Sequence, residues 1–168
     1  MNTPTVNEDF LRLIDENKAI IFKICNTYCN NKSDREDLAQ EIIYQLWRSV
    51  SRFDPAYTFS TWMYRIALNV AISFYRKEKR TAPVIPLTEH QRNISDTEHS
   101  NDESDDFKRL QEFIAGLKDL DKALVILYLE AKSYAEIADV LGISETNVAT
   151  RINRIKTKMK QKFSTINR

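Results

Sequence analysis

The stretch SYAEIADVLGISETNVATRINRIK, Ser133 to Lys156, decides the reading of the chain's C-terminal part. Ser133 followed three residues later by Glu136 is a capping box, which starts a helix by satisfying its first free amides. Ile137, Ala138 and Leu141 then recur at helical spacing and give that helix one apolar side. Gly142 ends it, because glycine tolerates the left-handed backbone that a sharp helix-to-helix turn needs, and Ser144 caps the helix that follows. On this second helix Val148, Ile152, Ile155 and Met159 form the core stripe. Ala149, Thr150, Asn153 and Arg154 lie opposite. These are small or polar groups suited to a major groove, where hydroxyl, amide and guanidinium reach base edges and phosphates. The pattern is that of a helix-turn-helix, and the plainer alternative is a two-helix hairpin that only packs.

The 168 residues carry a net charge of +1 with 42% hydrophobic content, a globular composition with room for one ordinary domain or two small ones. Two glycines, four prolines, and apolar residues recurring at three and four predict an all-α fold. Cys25 and Cys29 sit one helical turn apart beside Ile21, Ile24 and Tyr28, with no second pair or nearby histidine to complete a zinc site. Both are assigned to the core, and no metal or cofactor is expected. The N-terminus MNTPTVNEDF lacks a secretory signal, and no apolar run approaches the ~20 residues of a membrane span, so a cytoplasmic protein without membrane insertion is expected.

The small net charge conceals segregation. Residues 1–59 sum to −2, residues 60–85 to +4, residues 86–106 to −6 and residues 107–168 to +5. From Asn147 to Arg168 there are seven Lys or Arg and no acid, a distribution that suits phosphate backbones, although a solvated helix face has the same composition. The acidic segment TAPVIPLTEHQRNISDTEHSNDESDD, Thr81 to Asp106, lacks apolar periodicity and is expected to be a flexible linker. Its His90 and His99 are given no ligand role. Two small helical domains are expected on either side, residues 1–80 and 107–168. The second should open with helices over Asp106 to Leu117 and Asp121 to Glu130, where ALVILYLEA is the buried element.

In the first domain, Phe10, Leu13, Ile14, Ile20, Ile21, Ile24 and Tyr28 outline one long helix. Asn30 to Ser33 form a turn, and Ser33 with Glu36 caps a second helix through DLAQEIIYQLWRSV. Leu38, Ile42 and Leu46 point to the core there, whereas Asp37, Gln40, Glu41 and Tyr44 share the other side. A third helix begins near Ser60 and interleaves Trp62, Tyr64, Phe74 and Tyr75 with Arg65, Asn69, Arg76, Lys77, Lys79 and Arg80. Rings beside cations suit single-stranded nucleic acid, since an unpaired base stacks on a ring for ~1 to 3 kcal/mol while charge holds the backbone. Some of these aromatics also fit a core, where Ile66, Val70 and Phe74 are placed and where Trp62 and Tyr64 fit equally well.

DLAQEIIYQLW (Asp37 to Trp47), FSTWMYRIALN (Phe59 to Asn69), the acidic linker, and SYAEIADVLGIS with NVATRINR resemble, in order and over nearly the whole chain, an extracytoplasmic-function sigma factor of bacterial RNA polymerase. The resemblance implies that the first domain docks on the polymerase clamp and opens the −10 promoter element, and that the last reads the −35 element. By position, Asp37, Gln40 and Glu41 would face polymerase. Trp62, Arg65 and Asn69 would lie along the −10 strand, with Tyr57 from the loop Arg52 to Thr58 stacking on a flipped base. Ser144, Asn147, Thr150, Arg151, Asn153 and Arg154 would serve the −35 groove.

The recognition helix reads Asn147-Val148-Ala149-Thr150-Arg151 where many members have T-V-K-S-R or T-V-R-S-R. Ala149 thus removes a cation, and a particular −35 sequence does not transfer. Pro55 and Tyr57 stand where glycine is common, which leaves the captured base open. With no receiver or ligand-binding domain expected, the resemblance implies control by a separate anti-sigma protein. A free-standing helix-turn-helix regulator leaves the aromatic and basic segment unexplained. An enzyme lacks paired carboxylates, a histidine dyad or an activated cysteine. Co-elution with core RNA polymerase separates the three.

Overall fold

A computed structural model of the chain describes residues 6–81 and 104–164. All regular elements among them are helical, and the chain divides into two compact units, Met1–Thr97 and Glu98–Arg168. The first unit contains α1 (Val6–Glu16), α2 (Lys18–Tyr28), α3 (Lys32–Ser49), a short 3-10 turn (Val50–Arg52) and α4 (Phe59–Thr81). The second contains α5 (Asp105–Ala115), α6 (Asp119–Leu129), α7 (Tyr134–Leu141) and α8 (Glu145–Ser164). The expected linker lies outside the described residues except at its ends. There α4 reaches Thr81 and α5 starts inside the acidic run, with the Ser104 hydroxyl accepting from the Phe107 amide and Asp105 and Asp106 favouring the positive helix start.

The first unit is a three-helix core of α2, α3 and α4, with α1 laid against it. Leu38, Ile42 and Leu46 of α3 are fully buried, as expected, and so are Ile24 and Tyr28 of α2. Cys25 and Cys29 are buried and are not joined in a disulfide. Burial pushes Cys25 up to about 11 against a smaller opposing pull from Arg35, which removes it from thiolate chemistry.

Three expectations for this unit are corrected. The single long first helix is two: the backbone leaves helical geometry at Asn17, with φ −113° and ψ 13°, where the side-chain amide donates to the Leu13 carbonyl at 2.8 Å beside the residue's own backbone amide at 3.2 Å. The cap of α3 is Asn31 rather than Ser33. Its Oδ1 accepts from the Asp34 amide at 2.8 Å and its Nδ2 donates to the Asp34 carboxylate at 2.7 Å, so the helix begins earlier. On α4 the fully buried residues are Met63, Tyr64, Ala67, Leu68 and Ala71, whereas Ile66, Val70 and Phe74 are half-buried. Apolar residues cover most of the circumference of α4, so periodicity does not choose between stripes; the alanines let α2 and α3 approach closely. Among the described residues the Tyr64 hydroxyl has no hydrogen-bond partner, and desolvation pushes its phenol up to about 12.

In the second unit the capping box is present. Ser133 Oγ accepts from the Glu136 amide, and Glu136 Oε2 accepts from the Ser133 amide at 2.7 Å, which holds the Glu136 carboxyl below its ordinary range. Ile137 and Val140 are the buried residues of α7, while Ala138 and Leu141 are half-buried. Of the expected buried element in α6, Ala123, Leu124, Ile126 and Leu127 are inside, but Tyr128 and Leu129 are exposed. They end the helix, where the chain must turn.

Among the described residues, Gly142 at φ 67° and Ala131 at φ 57° have left-handed backbone. A Cβ at Gly142 would meet nothing within 4 Å, so its cost is conformational alone. Gly142→Ala should therefore lower the stability of this unit by about 1 kcal/mol, while Ala131→Gly should leave it unchanged or raise it by up to about 1 kcal/mol, the relief of strain being partly offset by unfolded-chain entropy. Thermal unfolding of the two variants checks the sign; destabilisation by both would contradict the left-handed geometry at Ala131.

Candidate nucleic-acid and partner interfaces

Burial of Val148, Ile152 and Ile155 fixes the rotation of α8. It leaves Thr150, Asn153 and Arg154 exposed on the opposite side, Ala149 half-buried between them, and the core stripe ends at a half-buried Met159. Ser144 caps the helix through its hydroxyl, which accepts from the Asn147 amide at 3.1 Å. The Thr150 hydroxyl donates to the Thr146 carbonyl at 2.9 Å, so its lone pairs remain to accept from a base or sugar.

Arg151 is placed differently from its neighbours. Its Nη1 donates to Asp121 of α6 at 3.0 Å and its Nε donates to Asn147 Oδ1 at 3.0 Å. The pair is mostly enclosed, with side-chain exposures of 26% for Arg151 and 12% for Asp121. Spacing along α8 gives no hint of this bond, because its acid lies thirty residues upstream. Further along, Lys156 lies 4.7 Å from the Tyr128 ring, an exposed contact that raises its pKa through the tyrosine hydroxyl.

In the first unit Tyr57 is exposed at the tip of a turn in which the Tyr57 amide donates to the Asp54 carbonyl and the Ala56 amide to the Asp54 carboxylate. Thr58 then caps α4, accepting from the Thr61 amide at 3.2 Å. Arg65 and Asn69 are exposed on α4, one turn apart. Trp62 is half-buried and its ring packs with Phe53 and Phe59, the centroids 5.4 and 5.3 Å away. It therefore anchors the turn that carries Tyr57 as well as bordering the Arg65 and Asn69 side. The side chains of Tyr75, Arg76, Lys77, Lys79 and Arg80 lie outside the described residues.

On α3 Asp37 and Gln40 are exposed and Glu41 is half-buried, its Oε1 accepting from Gln45 at 2.9 Å. The expectation stopped at this polar patch. Beside it runs an apolar groove of about 320 Å³ lined by Phe10, Leu11, Gln40, Ile43, Tyr44 and Trp47. Leu11 is 63% exposed and Trp47 is 44% exposed, although the Trp47 ring also meets Phe10 edge-on at 5.3 Å. The signal available in the sequence was Ile43 and Trp47, which are off the core stripe and large for a solvated surface. Among the described residues no cluster of His, Cys, Asp and Glu is arranged to hold a metal ion, and no helix is long and apolar enough to cross a membrane.

Comparison with known proteins adds to this geometry. The family described as Sigma-70 region 2 matches residues 13–81, and that described as Sigma-70, region 4 matches residues 107–159. The chain is 30% identical over 156 residues to the ECF RNA polymerase sigma factor SigW of Bacillus subtilis, covering 86% of this chain and 83% of that protein. It is 28% identical to the RNA polymerase sigma factor SigV of the same organism, over 84% of this chain and 82% of that one. Its fold is similar to that of the sigma factor RpoE of Bartonella quintana, solved with the anti-sigma factor NepR, at a TM-score of 0.65 and 17% identity over 92% of this chain and 94% of that one. It is also similar to CnrH, solved with the cytosolic domain of CnrY, at a TM-score of 0.63 and 21% identity over 93% and 88% of the two chains.

The pair between Asp121 and Arg151 should be a measurable part of the second unit's stability. Asp121→Asn keeps the shape and removes the charge, and should cost about 1.5–3 kcal/mol, the range for hydrogen bonds to charged groups. Trp47 and Trp62 both lie in the first unit. The helical circular-dichroism transition should therefore shift to lower urea while the tryptophan fluorescence transition stays in place, and an unshifted dichroism curve would show that the pair contributes nothing.

Proposed function

The chain belongs to the sigma-70 family, as an RNA polymerase sigma factor of the extracytoplasmic-function type, and from that premise we infer which of its surfaces meet polymerase and which meet promoter DNA. As a sigma factor it directs core RNA polymerase to specific promoters for transcription initiation. The observation that carries this is the extent of the similarity, which runs through both units and not through the helix-turn-helix alone. A free-standing regulator accounts only for the second unit. Bond-making belongs to the polymerase, so the chain itself acts as a non-enzymatic factor in the bacterial cytoplasm.

Residues 1–80 form the part that meets the polymerase clamp and the −10 element, residues 107–168 the part that meets the −35 element, and residues 81–106 connect them. The polymerase surface is the outer side of α3, with Asp37, Gln40 and Glu41 supplying polar contacts and the neighbouring groove of Leu11, Ile43, Tyr44 and Trp47 supplying apolar area. Tyr57, Trp62, Arg65 and Asn69 serve the separated −10 strand. Ser144, Asn147, Thr150, Arg151, Asn153 and Arg154 serve the −35 groove, where Arg154 reaches a base or phosphate. Control by an anti-sigma protein is supported by the solved relative bound to NepR. In vitro transcription with core polymerase on genomic fragments tests the reading as a whole: specific start sites should appear only when the chain is added.

Replacing Gln40 and Glu41 together by Ala should raise the dissociation constant for core polymerase by about tenfold or more while leaving helical content and melting nearly intact. Unchanged co-elution in gel filtration would remove this side of α3 from the interface. Promoter opening is separable from promoter binding. Unstacking a base costs a few kcal/mol, and a lost stacking partner returns that cost to the opening step. Tyr57→Ala with Asn69→Ala should leave closed complexes on duplex DNA largely intact but lower permanganate reactivity of −10 thymines and reduce run-off transcript, with partial recovery on a pre-melted template. An equal loss on duplex and pre-melted templates would place the defect elsewhere.

A further inference from the structure

The first turn of α8 is where a recognition helix meets base edges, and the one side-chain amide there, Asn147, is not free to turn. Arg151 Nε approaches one end of it at 3.0 Å. A guanidinium nitrogen only donates, so the atom it meets is the amide oxygen, and the amide orientation follows from chemistry. The guanidinium is itself held from the far side by Asp121 on α6 at 3.0 Å, in a mostly enclosed pair. Asp121, Arg151 and Asn147 therefore form a chain of contacts that begins in the core of the second unit and ends at the DNA-facing start of α8.

We propose that Asp121 and Arg151 act as positioning residues that lock the Asn147 amide with its Nδ2 outward, making Asn147 chiefly a donor that selects guanine and discriminates against adenine in the −35 region. An unrestrained asparagine reads adenine with both ends of its amide, accepting from N6 and donating to N7. Here one of the two Oδ1 lone pairs is already engaged by a cation, which makes the oxygen a poorer acceptor for a second donor. A second donor such as adenine N6 would have to approach Oδ1 beside a guanidinium that already carries positive charge, which is unfavourable at short range. Nδ2 keeps its two N–H groups, and guanine alone presents two acceptors, N7 and O6, on its major-groove edge. Thymine O4 offers one acceptor and is the weaker alternative; cytosine offers only a donor at that edge. The inference rests on the second unit reading the −35 element, as argued above.

The test uses holoenzyme reconstituted from core polymerase and the full chain, and a promoter pool randomised across the −35 region with a constant −10 element, sequencing the bound DNA. The wild-type chain should show one position at which guanine exceeds adenine by roughly tenfold, within the range of a good base contact. Asn147→Ala should flatten the preference at that position and leave the others. Arg151→Met, which keeps length and removes the donors, should bring adenine to within about twofold of guanine at that same position, and Arg151→Lys, which keeps a donor, should restore part of the discrimination. If Arg151→Met instead lowers binding to all sequences equally, Arg151 is a structural brace only and the proposal is overturned. It is also overturned if Asn147→Ala keeps every base preference of the wild type. A wild-type holoenzyme that transcribes yet selects nothing in the −35 region would instead overturn the reading of the second unit, and the inference with it. Asn147→Ala breaks no contact to Asp121, so it remains informative even where Arg151→Met unfolds the unit.

Discussion

Leu38, Ile42 and Leu46 on α3, and Val148, Ile152 and Ile155 on α8, are the burials on which both working surfaces depend. A helix in a small unit has one side to bury, and once that side is committed the opposite side is committed to solvent or to a partner. Each of these residues is a large aliphatic side chain worth about 1.5–3 kcal/mol on leaving water. Rotating α3 or α8 by a quarter turn would forfeit several of them at once. The outward placement of Gln40 and Tyr44, and of Thr150, Asn153 and Arg154, is therefore held by hydrophobic burial rather than by any contact those residues make themselves.

The two surfaces differ in chemistry. The α3 side couples carboxylates and an amide to an apolar groove, the mixture found where proteins dock on proteins. The α8 side has hydroxyl, amide and guanidinium groups and is followed by lysines without intervening acids, the mixture suited to duplex DNA. In the first unit, the turn bearing Tyr57 and the exposed Arg65 and Asn69 offer a ring, a cation and an amide. The ring cluster of Phe53, Phe59 and Trp62 holds that turn against the start of α4, so Trp62 serves the surface largely from beneath.

Arg151 illustrates how one residue type takes two roles on one helix. Arg154, three positions on, is exposed on the polar side. Arg151 falls between the polar side and the core stripe, and at that boundary a cation must find an acid or leave. Asp121, buried on α6, supplies it. Enclosure of the pair adds geometric definition to α8 beyond what apolar burial gives, because apolar contacts are nondirectional and hydrogen bonds are not.

Much of this was legible in the residues themselves. The helix-turn-helix was written in local signals, Ser133 with Glu136, Gly142 and Ser144, and each acts over three or four residues, so tertiary context had little to change. The core stripes of α3 and α8 were equally legible, since Leu38, Ile42 and Leu46, and Val148, Ile152 and Ile155, recur at three and four, although α3 also carries Ile43 and Trp47 off its stripe. Tertiary structure decided the rest wherever the local signal was degenerate or the partner was distant. On α4 apolar residues covered too much of the circumference for spacing to choose a face, and the close approach of α2 and α3 chose the alanine side. At Asn17 and Asn31, amides that serve equally well inside a helix, at a break or at a cap were assigned by the backbone groups they reached. The apolar groove on α1 and α3 exists only because two helices bring Leu11 beside Ile43 and Trp47. The bond from Arg151 to Asp121 spans thirty residues, and no periodicity reports a contact that only the packing of α6 against α8 creates.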